Sequence, residues 1–235
     1  MTMFEPTFRL DLAHGRCVGV ALPSRFDAAP LLDVPPAVLA MLPEQERKYA
    51  DALAPLRRVS WVGGRVALRA AVGDLAPTLG AILATARGAP RLPPGLVGSI
   101  SHKDGLAIGL AAPADGGWQL GVDLEHITRA PGRPDISRHV LHPEEAERLS
   151  SVPEPARSQE VLFAFSAKEA IYKALDPFVE RYVAFGEVVL RRRPDGTAEA
   201  ALHLRRPDEG PFEVEVTWTA REEMVITTAR VRRAP

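Results

Sequence analysis

The sequence predicts an α+β chain in which a helix precedes strands in each of two halves. Three observations carry this expectation. Apolar residues recur at helical spacing along residues 58–75 and 158–175, whereas residues 96–111 and 118–125 alternate at the two-residue period of strands. The segment after residue 182 continues that alternation through four short runs. Asp115-Gly116-Gly117 forms a turn between the halves, which sets expected domains at 1–116 and 117–235.

Taken in order, residues 16–22 (RCVGVAL) read as a short strand, and residues 35–53 have helical spacing broken at Pro43, because proline removes a backbone donor. From Arg58 to Leu75, Trp61, Val62, Val66 and Val72 form the apolar side of a helix. At 100° per residue, Arg58, Arg65 and Arg69 of that helix fall within about 20° of one line. A Pro- and Gly-rich loop, ARGAPRLPPG, leads to a hairpin over Leu96 to Ala111, turned at Asp104-Gly105. Trp118 to Glu125 is the next strand, and HITRAPGRPDI the loop after it. Residues 135–150 resume helical spacing, Pro153 and Pro155 interrupt it, and Ser158 is expected to cap a helix reaching Leu175. The chain ends as a β-meander of VAFGEVVLRRR, AEAALHLRR, FEVEVTWT and MVITTARVR.

Composition removes several functions. Across 235 residues, 46% are hydrophobic and 25% charged, values of an ordinary packed globule. No apolar run approaches the roughly 20 residues that span a bilayer, and the acidic start MTMFEPTFRLDLAHG lacks a secretory core, so a cytoplasmic location is expected. Lys and Arg number 29 against 30 Asp and Glu, which argues against the broad basic face of a nucleic-acid binder. One cysteine, Cys17, forms no internal disulfide.

Three patterns carry chemistry. On the strand from Trp118 to Glu125, Asp123 and Glu125 share a face with Gly121. Two like charges this close need a cation or a raised pKa, and magnesium prefers such carboxylate oxygens. The bland alternative is a strand with a solvated polar face. In FSAKEAIYK, Glu169 and Lys173 stand at i and i+4, so they project together as a third metal carboxylate and a phosphate ligand, or as a surface ion pair. At the hairpin, Gly98-Ser99-Ile100-Ser101-His102 places a histidine beside a turn, and the arginine helix offers fork-shaped guanidinium groups suited to phosphate.

In this order and spacing, GSISH, GVDLE and FSAKEAIYK resemble the phosphopantetheinyl transferases of the larger, surfactin- and enterobactin-synthetase type. The similarity takes in Gly64 to Arg69 and the loop from Pro90 to Gly95, and so covers residues 55–185. Phe165 departs from the tryptophan the family often has. The resemblance implies a pseudo-twofold arrangement of two similar α/β halves, with the active site in the cleft between them. It implies transfer of the 4′-phosphopantetheine arm of coenzyme A to a serine of an apo acyl or peptidyl carrier protein, with release of adenosine 3′,5′-bisphosphate. Asp123, Glu125 and Glu169 would hold Mg²⁺, with Lys173 on the same phosphates. Arg65, Arg69, Ser101 and His102 would take coenzyme A near its 3′-phosphate. Glu144 lies where the family has an acid suspected of deprotonating the serine, with Glu145 one residue away. Both halves lie in one chain, which suits a monomer. The loop with Arg129 and Arg133 is expected to meet the carrier. Two other readings stand beside transfer: an idle coenzyme A or nucleotide-binding module, and a metal-dependent phosphohydrolase.

Overall fold

The computed structural model describes residues 3–23, 33–127 and 135–235, which divide into two compact units, Met1–Asp115 and Gly116–Pro235. Arg129 and Arg133 lie outside the described residues.

The first unit contains β1 (Pro6–Leu12), β2 (Gly15–Ala21), α1 (Pro36–Ala40), α2 (Glu44–Asp51), α3 (Pro55–Val72), a 3-10 turn at Gly73–Leu75, β3 (Leu96–Lys103) and β4 (Leu106–Pro113). Its four strands form one antiparallel sheet in the order β1-β2-β4-β3. Strand β1 is absent from the sequence expectation. It is an edge strand paired only with β2, and none of its residues is fully buried, so its sequence carries a weak core signal. Helix α3 begins at Pro55 rather than Arg58, because proline at the first helical position gives up no needed hydrogen bond. The α1–α2 break falls at Pro43.

The second unit contains β5 (Gln119–His126), α4 (Ser137–Val140), α5 (Pro143–Leu149), α6 (Ala156–Val179), a 3-10 turn at Phe185–Glu187, β6 (Val188–Arg192), β7 (Thr197–Leu202), β8 (Phe212–Arg221) and β9 (Met224–Arg233). The sheet order is β5-β9-β8-β7-β6, again antiparallel. Ser158 does not cap α6. The cap position is Pro155, and the Ser158 amide is already inside the first turn, donating to Glu154 at 3.2 Å. At its other end α6 passes Leu175 to Val179, with Pro177 inside it. VAFGEVVLRRR is divided, its first part curling into the 3-10 turn before β6.

Each unit seats one long helix on its sheet through a glycine. A Cβ on Gly109 of β4 would lie 2.4 Å from the Leu68 backbone of α3, and one on Gly121 of β5 would lie 1.8 Å from the Ala170 carbonyl oxygen of α6. Around those seats, Leu68, Ala71 and Val72 pack with Val18 and Ala111 in the first unit. Ala170, Ile171 and Ala174 pack with Val216, Ala229 and Val231 in the second. This is an α+β fold of two similar halves.

Candidate active site

Strand β5 pairs with β9 so that Asp123 lies opposite Thr227 and Glu125 opposite Val225. Because alternate residues share a face and Gly121 touches α6, Asp123 and Glu125 face α6 as well. The room that the missing side chain of Gly121 leaves beside the carboxylates is filled by the helix backbone. Asp123 and Glu125 are only 5% and 6% exposed, which removes the solvated-face alternative.

Helix α6 brings Glu169 and Lys173 to the same place. Lys173 Nζ donates to Asp123 Oδ1 at 2.9 Å and to the Val122 carbonyl at 2.8 Å, so it bridges helix and strand. Burial pushes the Glu169 carboxyl above the ordinary carboxylate range; Lys173 draws it back, and nearby Asp123 and Glu125 raise it further. Three carboxylates and one ammonium therefore interact within this unit.

The same donors suit magnesium. They are hard oxygens, and the repulsion that lifts Glu169 is what a divalent cation relieves. Among the described residues, no three His, Cys, Asp or Glu side chains gather as a metal site. Lys173 pairs with Asp123 at 2.9 Å.

In the first unit, the three arginines of the helical stripe are all engaged by the chain itself. Arg58 donates to the carbonyls of Ala50, Asp51 and Leu53. Arg65 is 4% exposed, lies over the Trp61 ring at 4.4 Å, and donates from Nε to the Ile82 carbonyl at 2.7 Å. Burial draws its guanidinium down to about 10, against the pull of Glu46. Arg69 bonds the carbonyls of Leu79 and Gly80 and the carboxylate of Glu46. Ser101 and His102 project to opposite faces of β3, as neighbours on a strand must. Ser101 is buried; His102 is exposed, on the face where Ile100 meets Gly64 of α3.

Residues 119–229 match the 4′-phosphopantetheinyl transferase superfamily, and residues 45–112 match the 4′-phosphopantetheinyl transferase N-terminal domain. The chain is 32% identical to the 4′-phosphopantetheinyl transferase Svp of Streptomyces mobaraensis, over 85% of this chain and 82% of that one. The chain belongs to the 4′-phosphopantetheinyl transferases. It is also 33% identical to Npt of Nocardia iowensis, covering 76% and 78% of the two chains, and 31% identical to PptT of Mycobacterium tuberculosis, covering 76% of each. As a phosphopantetheinyl transferase it moves the phosphopantetheine arm of coenzyme A to carrier proteins.

The two acids at the start of α5 in this transferase take distinct places. Glu144 is exposed on the first turn of α5. Glu145 is 1% exposed, accepts from the His142 and Leu190 amides at 2.7 Å each, and accepts from Lys168 Nζ at 2.6 Å. Sequence reasoning passed over Lys168. It also donates to the carbonyls of Val140 and Phe185, and burial lowers its pKa against the hold of Glu145. The available signal was its position between Ala164 and Ile171, four residues before and three after, on the apolar face of α6.

Proposed function

We propose that this transferase is Mg²⁺-dependent, acts on the serine of an apo acyl or peptidyl carrier protein, and releases adenosine 3′,5′-bisphosphate. The observation that carries this reading is the convergence of Asp123 and Glu125 on the α6 face of β5 with Lys173 and Glu169 of α6. A magnesium ion held by Asp123, Glu125 and Glu169 would neutralise charge on the pyrophosphate as it develops. The serine oxygen forms a bond to the phosphorus that carries pantetheine, and the bond from that phosphorus to the adenosine-side oxygen breaks. Lys173 supplies positive charge to the departing phosphate. Glu144, exposed at the start of α5, accepts the serine proton. His102 is the exposed side chain for the 3′-phosphate, with Arg65 and Arg69 shaping a wall of the same pocket and Ser101 supporting the strand from its buried face. The enzyme works as a monomer in the cytoplasm.

The test is to incubate the protein with coenzyme A, Mg²⁺ and an apo carrier protein and weigh the carrier. Addition of one phosphopantetheine, lost on chelating the metal, supports the proposal. Release of free phosphopantetheine without carrier modification would make the protein a phosphohydrolase. Neither product would leave an idle binding module.

A further inference from the structure

We infer that Glu46 is a positioning residue for the donor substrate: it clamps the segment around Ile82 and thereby sets the shape of a cationic wall that receives the phosphates of coenzyme A. This rests on coenzyme A being the donor. Glu46 is fully buried, and one of its oxygens accepts from both the Ile82 amide and Arg69 Nη2. Arg65 takes the Ile82 carbonyl, and Arg69 takes those of Leu79 and Gly80. Side chains of α2 and α3 thus hold four backbone groups of residues 79–82, doing what a strand partner would do elsewhere.

What they hold is an unusual connector. Residues 76–95 form no helix or strand, only a bridge between Ala84 and Pro90 closed by bonds from the Thr85, Gly88 and Arg91 amides. Irregular connections longer than about 12–15 residues in compact domains are usually either functional or loose linkers, and this one is pinned at residues 79–82. No acidic residue occurs between Asp74 and Asp104, although the whole chain carries a net charge of −1. The charged residues of that stretch are Arg87, Arg91 and Lys103, with His102 beside them, and Arg87 and Arg91 are exposed. Leu92 meets β3 at Gly98, on the face that also carries His102. The connector therefore packs on the same side of β3 as His102, and its own exposed cations, Arg87 and Arg91, suit an anion.

Stability alone is a poor reason for the clamp. Glu46 Oε2, Trp61 Nε1, Arg65 Nη2 and Arg69 Nε are buried without a hydrogen-bond partner among the described residues, and apolar packing of the same volume is often at least as stable as a buried ion pair. The arrangement serves geometry.

The experiment compares Glu46→Ala, Glu46→Gln and Glu46→Asp in the full chain, reading kcat, the KM for coenzyme A, the KM for apo carrier, and hydrogen exchange of residues 79–92. Glutamine keeps an acceptor oxygen at the right reach without the charge; aspartate keeps the charge one methylene short. In Glu46→Ala the KM for coenzyme A should rise about tenfold, with kcat and the carrier KM within about twofold and faster exchange across 79–92. Glu46→Gln should restore the KM to within about threefold, and Glu46→Asp should restore it less. Looser exchange with an unchanged coenzyme A KM would overturn the inference, as would a parallel loss in all three kinetic constants. Should Glu46→Ala fail to fold, the order of the other two decides: a glutamine variant no better than the aspartate one overturns it. A wild-type protein that transfers nothing from coenzyme A would instead defeat the donor assignment itself.

Discussion

Lys173 stands one helical turn beyond Glu169 yet bonds the strand beneath it, its Nζ 2.9 Å from Asp123 Oδ1. The pair fastens α6 to β5 at the point where the carboxylates meet. Lys173 is 26% exposed and keeps its second bond to the Val122 carbonyl, so its ammonium can turn to water if Asp123 is removed. Asp123→Ala should therefore remain folded, with a melting temperature within about 5 °C of wild type. Transfer should fall by about a thousandfold. Undiminished transfer at saturating Mg²⁺ would make Asp123 a structural residue.

Glu169 leads to a trade between stability and activity. Its carboxyl is raised in the fold, chiefly by burial, so the ionised form is the less favoured one there. A raised carboxyl contributes stability at low pH and loses it as pH rises through the folded value. Glu169→Gln removes the charge and should melt higher than wild type at pH 7, with the gap closing as pH falls towards the ordinary carboxylate range. Transfer by the same variant should drop by about a hundredfold or more. Mg²⁺ should raise the melting temperature of the wild type and leave that of Glu169→Gln nearly unchanged. Melting curves at three pH values, with and without the ion, check all of this.

The parts legible in the sequence are those where one residue type has one physical use. Asp104-Gly105 can only turn, and the hairpin it predicts closes between β3 and β4. The D-x-E alternation on β5 and the i, i+4 pair on α6 were readable as faces, and both faces are the ones brought together. What periodicity could not show is which other element covers a face. The arginine stripe of α3 looks like an open cationic ridge in the sequence, but Arg65 and Arg69 are drawn onto backbone carbonyls 17 and 10 residues away and Arg58 onto a neighbouring helix end. Likewise nothing local distinguishes Glu144 from Glu145; their separation into an exposed acid and a buried one follows from Lys168, 23 residues further on.

That Lys168–Glu145 pair is buried at both ends, with side chains 0% and 1% exposed. Removing one member of such a pair leaves the other charged and enclosed, which costs about 3–5 kcal/mol. Lys168→Met keeps the length and removes the charge, leaving Glu145 with its two amide donors. Urea unfolding should show a loss of about 3 kcal/mol. A loss below about 1 kcal/mol would mean those two amides satisfy Glu145 unaided.

The last prediction concerns Gly121, where packing and chemistry coincide. A methyl group there would lie 1.8 Å from the Ala170 oxygen, 2.8 Å from its carbonyl carbon and 3.0 Å from the Ala174 amide nitrogen. All three are backbone atoms, so no side-chain rotation relieves the clash and α6 itself must move away from β5. Ala170 is next to Glu169, and Ala174 is next to Lys173; any such shift carries both functional side chains off the strand that holds Asp123 and Glu125. Overpacking of this kind costs about 1–3 kcal/mol when the structure can adjust. Gly121→Ala should thus lose stability, and at temperatures where it is still folded its transfer rate should be lower by about tenfold or more, because misplacement of catalytic groups by about 1 Å is enough to do so. Gly186→Ala is the matched control, since no atom lies within 4 Å of the added methyl. Circular dichroism melts followed by carrier-modification rates well below each melting point separate the two effects. A Gly121→Ala protein as active as Gly186→Ala would show that the contact between α6 and β5 does not set the geometry of the acidic cluster.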